Sequence, residues 1–233
     1  MTNKNTSETQ SSMNDLPPAL VLASGSPRRS QILGDAGLRF EIQPSGIDEK
    51  TRPGESPPDL AERLAREKAE DVAARLAEGP TRPVLGSDTI VVAGPNVLGK
   101  PRDAEHAVEL LSQLVGTTHR VMTAIALAWT DGRGTTSQVV TSEVEMRPAT
   151  RDELIEYVAV GESLDKAGGY ALQGEGARFV VEVRGSSSNV IGLPLEETLA
   201  LLDAAGASPF TRDAAPRSAD HEANTAPRTS SDN

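Results

Sequence analysis

From residue 16 to residue 205, short apolar runs alternate with stretches of helical periodicity. Ala19–Ala23 reads as a short buried strand. Ser26 and Pro27 then open a helix to about Ala36, with Pro27 at the first helical position, where a missing N–H costs nothing. Arg39–Gln43 predicts a second short strand. The clearest helix is Asp59–Glu78, in which Leu60, Leu64, Lys68, Val72 and Leu76 recur every fourth residue along one face. Val84–Leu85 and Ile90–Ala93 read as strand segments flanking a turn-like Gly86-Ser87-Asp88. Asp103 is placed to cap a helix running to Val115. His119–Trp129 and Ser137–Met146 predict two long strands joined by the turn Asp131–Gly134. A helix over Thr150–Val160, a strand over Phe179–Val183 and a helix over Pro194–Ala205 complete the pattern. The alternation predicts helices packed on a sheet, and the two adjacent long strands make that sheet mixed rather than all parallel.

The pattern fades at both ends. Residues 1–15 and 206–233 are rich in Ser, Thr, Asn, Asp, Pro and Ala and are expected to be disordered tails, because so little apolar surface cannot offset the entropy of ordering. The working unit is therefore expected at 16–205, and it contains no internal repeat. Aromatic residues make up only 3% of the chain, so the core must be built from Leu, Val, Ile and Ala. A formal net charge of −11 gives no general attraction for nucleic acid or an anionic membrane. Any phosphate ligand must then be held by a local cluster of cations. The absence of cysteine removes disulfides, thiolate nucleophiles and Cys-based zinc sites. With no signal-like stretch and no apolar run of ~20 residues, a cytoplasmic protein is expected.

Five segments carry candidate chemistry. Ser24-Gly25-Ser26-Pro27-Arg28-Arg29 follows a buried strand and opens a helix, where unpaired N–H groups and the positive dipole end favour an anion. Its bland alternative is a Ser cap followed by a solvated Arg pair. Lys68 interrupts an aliphatic row, and an ammonium there needs a carboxylate or a phosphate unless its head reaches water. Gly86-Ser87-Asp88-Thr89 puts a carboxylate beside small hydroxyls, suited to a hard cation or to activating water, though Gly and Asp also make ordinary turns. Lys100, held extended by Pro101, points an ammonium at the same loop edge. Gly168-Gly169, Gly174 and Gly176 surround Gln173, whose amide offers a donor and an acceptor to the edge of a base. The three histidines are scattered, so any metal should be oxygen-bound, Mg²⁺ or Mn²⁺. No Gly-x-Ser-x-Gly elbow and no kinase-type glycine loop is present.

In order and spacing these segments resemble the Maf family of nucleotide pyrophosphatases. The matching pieces are Leu22–Arg29, Leu64–Ala69, Gly86–Val91, Gly99–Pro101, His119–Thr123, Asp165–Tyr170 through Gly174, and Asn189–Pro194. The resemblance covers about Ala19 to Leu202. It implies an elongated α/β fold of the Maf and ITPase kind, with a mixed sheet, flanking helices and two lobes around a deep cleft, usually as a homodimer. It implies hydrolysis of a nucleoside triphosphate to the monophosphate and pyrophosphate with a divalent metal. By residue match Asp88 is the catalytic carboxylate, with Glu49 beside it as a metal ligand. Ser24, Arg29, Lys68 and Lys100 match phosphate-proximal positions. Arg28, Thr89 and Gln173 match the positions that separate a dTTP/UTP-selective branch from one acting on 7-methyl-GTP.

Uracil and thymine present an N3–H between two carbonyls, which the Gln173 amide can pair, whereas cytosine reverses that pattern. UTP and dTTP are therefore the expected substrates. The competing readings are a 7-methyl-GTP or modified-nucleotide pyrophosphatase, a nucleotide-binding regulator of septum formation, and a phosphoryl transferase, which would release a diphosphate instead.

Overall fold

The computed structural model describes residues 20–207, so the expected tail at 1–15 and all but the first two residues of the tail expected at 206–233 lie outside the described residues. The alternation read from the sequence resolves into β1 (Leu20–Leu22), α1 (Pro27–Asp35), β2 (Phe40–Ile42), α2 (Pro57–Arg75), β3 (Pro83–Ala93) and β4 (Asn96–Leu98). It continues with α3 (Ala104–Ser112), β5 (Thr118–Trp129), β6 (Thr136–Met146), α4 (Arg151–Ala159), β7 (Val180–Arg184), α5 (Ser187–Ile191) and α6 (Leu195–Ala204). Two 3-10 turns, Ala167–Gly169 and Glu175–Phe179, lie between α4 and β7.

Local chemistry sets most of the helix ends. The helix α2 starts at Pro57 rather than Asp59 and is capped by Ser56, so Pro57 and Pro58 occupy its first turn, where they cost no hydrogen bond. Asp103 caps α3 as its type predicts. Thr150 and Glu153 cap α4 reciprocally. The helix α6 closes through Gly206 at positive φ, and Ala207 packs into the core two residues beyond the expected boundary. The short strand β4 and the single-turn helix α5 are not visible in the pattern. The first depends on a reversal at Gly94, and the second on the Ser186 hydroxyl accepting from the Asn189 N–H.

Among the described residues the sheet has seven strands in the order β2-β1-β3-β5-β6-β7, with β4 paired to β3 off that path. Pairing of β1 with β2 and β3 is parallel, and the remaining pairs are antiparallel. The sheet is mixed, as expected. One expectation fails: Gly86-Ser87-Asp88 is not a turn between two strands. It lies inside one continuous β3, whose ladder with β5 runs from Pro83↔Trp129 to Val92↔Arg120. The physical reason is packing. A Cβ at Gly86 would sit 2.2 Å from the Ala65 carbonyl oxygen, so glycine is required for α2 to lie directly on the strand.

That arrangement opens the cleft. On the edge of β3 away from β5, β1 pairs with Val84 and Leu85, and β4 pairs with Val91–Ala93. Gly86–Ile90 between them pair only with β5, leaving a gap in the sheet at Asp88. An apolar cluster around α1, α6 and β1 lies to one side of the gap. A second, around α3, α4 and Tyr170, lies to the other. The third packs α2 on β3 and β5. Strand alternation sends Asp88 to the α2 face and Thr89 to the opposite face.

Candidate active site

Burial of the aliphatic row on α2 carries Lys68 into the sheet, where it is only 7% exposed. Its Nζ donates to Asp88 Oδ1 at 2.7 Å and lies 2.7 Å from Glu49 Oε1. Lys68 therefore bridges a buried carboxylate and a half-exposed one. Burial pushes the Asp88 carboxyl above its ordinary value, and Lys68 and Arg29 partly offset this. Burial also raises Glu49, but there the Lys68 hydrogen bond and charge, with Lys100 and Arg29, prevail and hold it below the usual carboxylate range. Two carboxylates a hydrogen bond from one cation thus differ in basicity, because one is enclosed and the other faces solvent.

Glu49 belongs to no strand or helix; its loop is fastened to α2. Arg63 Nε donates to Glu55 Oε1 at 2.5 Å, and its NH2 group reaches both Glu55 and the carbonyl of Lys50. The neighbour of Glu49 is thereby tied to the helix that carries Lys68. Nothing in the local sequence signals this tie.

On the other side of the gap each nitrogen of the Arg29 guanidinium is anchored to the fold by one hydrogen bond, which leaves two of its five N–H groups for a ligand. Its Nε donates to the Gly192 carbonyl at 2.8 Å, NH1 to Ser24 Oγ at 2.9 Å and NH2 to Thr89 Oγ1 at 3.2 Å. Burial lowers its pKa, and Asp88 and Glu49 act to restore it. Thr89 also meets Thr123 Oγ1 at 3.0 Å, and Thr123 donates to the Asn189 carbonyl. Gly192, Thr123 and Asn189 lie in the Maf-like segments, but nothing in their residue types marks them as partners of Arg29 and Thr89. Arg28 reaches across the cleft mouth to Asp165 at 3.4 Å.

Ser24, Arg28, Arg29, Glu49, Lys68, Asp88, Thr89, Lys100 and Gln173 all line one cleft of about 730 Å³. That size suits a small-molecule ligand. Lys100 and Gln173 are exposed on its rim. The glycine-rich segment is packed into the fold: Gly168, Gly169 and Gly176 are buried, and Gly168 and Gly169 take positive φ. Among the described residues no group of three or more His, Asp or Glu is arranged for a metal. The pair Asp88 and Glu49 instead suits a cation that takes one or two carboxylates and completes its shell with ligand phosphates.

Comparison with known proteins supplies the family. The family described as Maf-like protein matches residues 19–205. A dTTP/UTP pyrophosphatase of Escherichia coli O157:H7 is 50% identical over 184 residues, 79% of this chain and 91% of the relative. One from Anaeromyxobacter dehalogenans (strain 2CP-C) is 49% identical over 82% of this chain and 96% of the relative. A nucleoside triphosphate pyrophosphatase of Shigella flexneri is 48% identical over 184 residues. With the match spanning every described strand and helix, the chain belongs to the Maf family.

Proposed function

We infer that this protein hydrolyses nucleoside triphosphates, dTTP and UTP foremost, to the nucleoside monophosphate and pyrophosphate. The observation that carries this is the Lys68-bridged pair of Asp88 and Glu49 at a sheet gap lined by Arg28, Arg29 and Lys100. The names of the relatives, dTTP/UTP pyrophosphatases, favour the same activity over 7-methyl-GTP hydrolysis. The catalytic unit is proposed to be residues 16–205, with Gly206 and Ala207 closing its last helix. A homodimer in the cytoplasm is proposed on the family resemblance. The described residues include no helix long and apolar enough to cross a membrane.

Asp88 is the proposed general base. Its enclosure raises its basicity while Lys68 keeps it ionised enough to accept a proton. It takes a proton from water as the water oxygen bonds to the α-phosphorus. The bond from that phosphorus to the α–β bridging oxygen then breaks, and pyrophosphate leaves with the electron pair. Lys68 and Lys100 hold the leaving charge, and Ser24 and Arg29 position the phosphates. In the structure Lys68 is shared by two carboxylates and Arg28 is paired with Asp165, so much of the cleft's positive charge is already neutralised. Asp88 and Glu49 fit Mg²⁺ or Mn²⁺ as ligands. Such an ion would supply the missing positive charge at the triphosphate. Gln173 reads the N3–H and a carbonyl of uracil or thymine, and Arg28 and Thr89 border the same selectivity region.

The test is pyrophosphate release over a panel of nucleotides. UTP and dTTP should be turned over far faster than CTP and the purines, and Asp88→Asn should lose at least ~100-fold in turnover. A ranking led by 7-methyl-GTP, a diphosphate product, or near wild-type turnover by Asp88→Asn would each overturn the reading.

A further inference from the structure

We propose that Tyr157 and Glu162, which lie behind the cleft and do not line it, are positioning residues for base selectivity. This rests on the reading of Gln173 as the base-contacting residue. Gln173 is exposed, so its place is set by its backbone. That backbone is held on both sides. The Tyr157 hydroxyl accepts the Ala171 N–H at 3.1 Å, and Glu162 Oε1 accepts the Gly176 N–H at 2.9 Å. The turn between these posts has no room to shift toward them. A Cβ at Gly176 would lie 2.7 Å from the Tyr157 hydroxyl, and one at Gly174 would lie 2.1 Å from Glu162 Oε2.

The posts are themselves fixed. Tyr157 is fully buried on α4, its ring edge-on to Phe179 at 5.5 Å. Burial, reinforced by the neighbouring Glu162 carboxylate, pushes its phenol up, so it remains a neutral hydroxyl. On the cleft side the same segment is pinned by Tyr170, whose hydroxyl meets His119 Nε2 at 2.8 Å, and by the Gly168 N–H bonding the Gly99 carbonyl at 3.1 Å. Tyr157 and Glu162 differ from these pins in bracketing Gln173 directly. A site that reads hydrogen bonds must place its groups within about 0.5 Å, and a shift of ~1 Å costs on the order of 100-fold. Loss of either post should therefore appear in discrimination between bases before it appears in the chemical step.

The experiment compares kcat and KM for UTP and CTP in the full chain carrying Tyr157→Phe, Glu162→Ala, Glu162→Gln or Gln173→Ala, with melting curves for each. Tyr157→Phe and Glu162→Ala should each lower the UTP-to-CTP ratio of kcat/KM about tenfold, mainly through KM for UTP, with kcat within about twofold. Glu162→Gln keeps an acceptor oxygen and should recover most of the ratio. If Gln173→Ala collapses the ratio while Tyr157→Phe and Glu162→Ala leave it unchanged, the positioning role is wrong and the base reading stands. An equal loss for both nucleotides in the two post variants likewise reduces them to structural residues. If Gln173→Ala itself leaves the ratio unchanged, base reading by Gln173 and the positioning role fall together.

Discussion

Replacing Lys68 with methionine isolates what the bridging ammonium does. Its Nζ is 2.7 Å from oxygens of both Asp88 and Glu49, and Lys68 and Asp88 are each under a tenth exposed. At an effective dielectric of about 20, charges at that separation attract by roughly 6 kcal/mol. Desolvation of the buried pair consumes much of this. Methionine suits the aliphatic row of α2, so the packing change is small. What is left is Asp88 buried without its closest cation, and stranding a buried charge costs about 3–5 kcal/mol. Protonation of Asp88 and the remaining field of Arg29 cap the penalty, so we expect about 3 kcal/mol at neutral pH, or roughly 6–12 °C in melting temperature. The pH dependence has a definite sign. Burial already raises the folded pKa of Asp88 above its ordinary value, and losing Lys68 raises it further. A raised carboxyl favours the folded state below its unfolded pKa, and that benefit is lost as pH rises through the folded pKa. The deficit of Lys68→Met relative to the wild type should therefore shrink on acidification. Lys68→Met/Asp88→Asn removes both charges and should recover most of the stability but none of the turnover. Thermal melts at about pH 5 and about pH 8, with pyrophosphate release on UTP, decide the matter. A single variant as stable as wild type at neutral pH, or a double variant no more stable than the single, would refute the reasoning.

Gly86→Ala places a methyl group 2.2 Å from the Ala65 carbonyl oxygen, so α2 must move off β3. We expect about 2–3 kcal/mol of destabilisation and lost turnover, because Lys68 moves with the helix; an unchanged melting temperature would contradict the close approach. His119 is buried, and burial lowers its pKa to about 4. The unfolded chain then binds a proton that the folded one refuses, so stability should fall with pH between about 6.5 and about 4, by at most ~1.4 kcal/mol per unit. His119→Gln should flatten that slope in chemical denaturation, and an unaltered slope would assign it to other groups.

Much of the secondary structure was legible because it follows from neighbours along the chain. The row Leu60, Leu64, Lys68, Val72 and Leu76 marked the inner face of α2; the first four are buried, and Leu76, the residue that ends the helix, is partly buried. Asp103 announced the start of α3, and Ser26-Pro27 that of α1. The candidate site was legible as chemistry: an ammonium in an aliphatic row and hydroxyls and guanidinium groups at a helix start are costly unless something charged meets them. The resemblance to the Maf family gathered these residues into one site, and the structure brings them to one cleft.

What the chain alone did not decide is where each group stands. Gly86-Ser87-Asp88 has the composition of a turn, and only the ladder with β5 and the approach of α2 make it strand. Glu49 reaches Lys68 because Arg63 ties its loop to α2, and Gln173 is placed by Tyr157 and Glu162 from behind the cleft. Propensity, capping and periodicity are energies of residues a few positions apart, so they can be read in order along the sequence. The gap in the sheet, the shared ammonium and the posts behind Gln173 join residues far apart in the chain, and those contacts form only when the whole core closes around them.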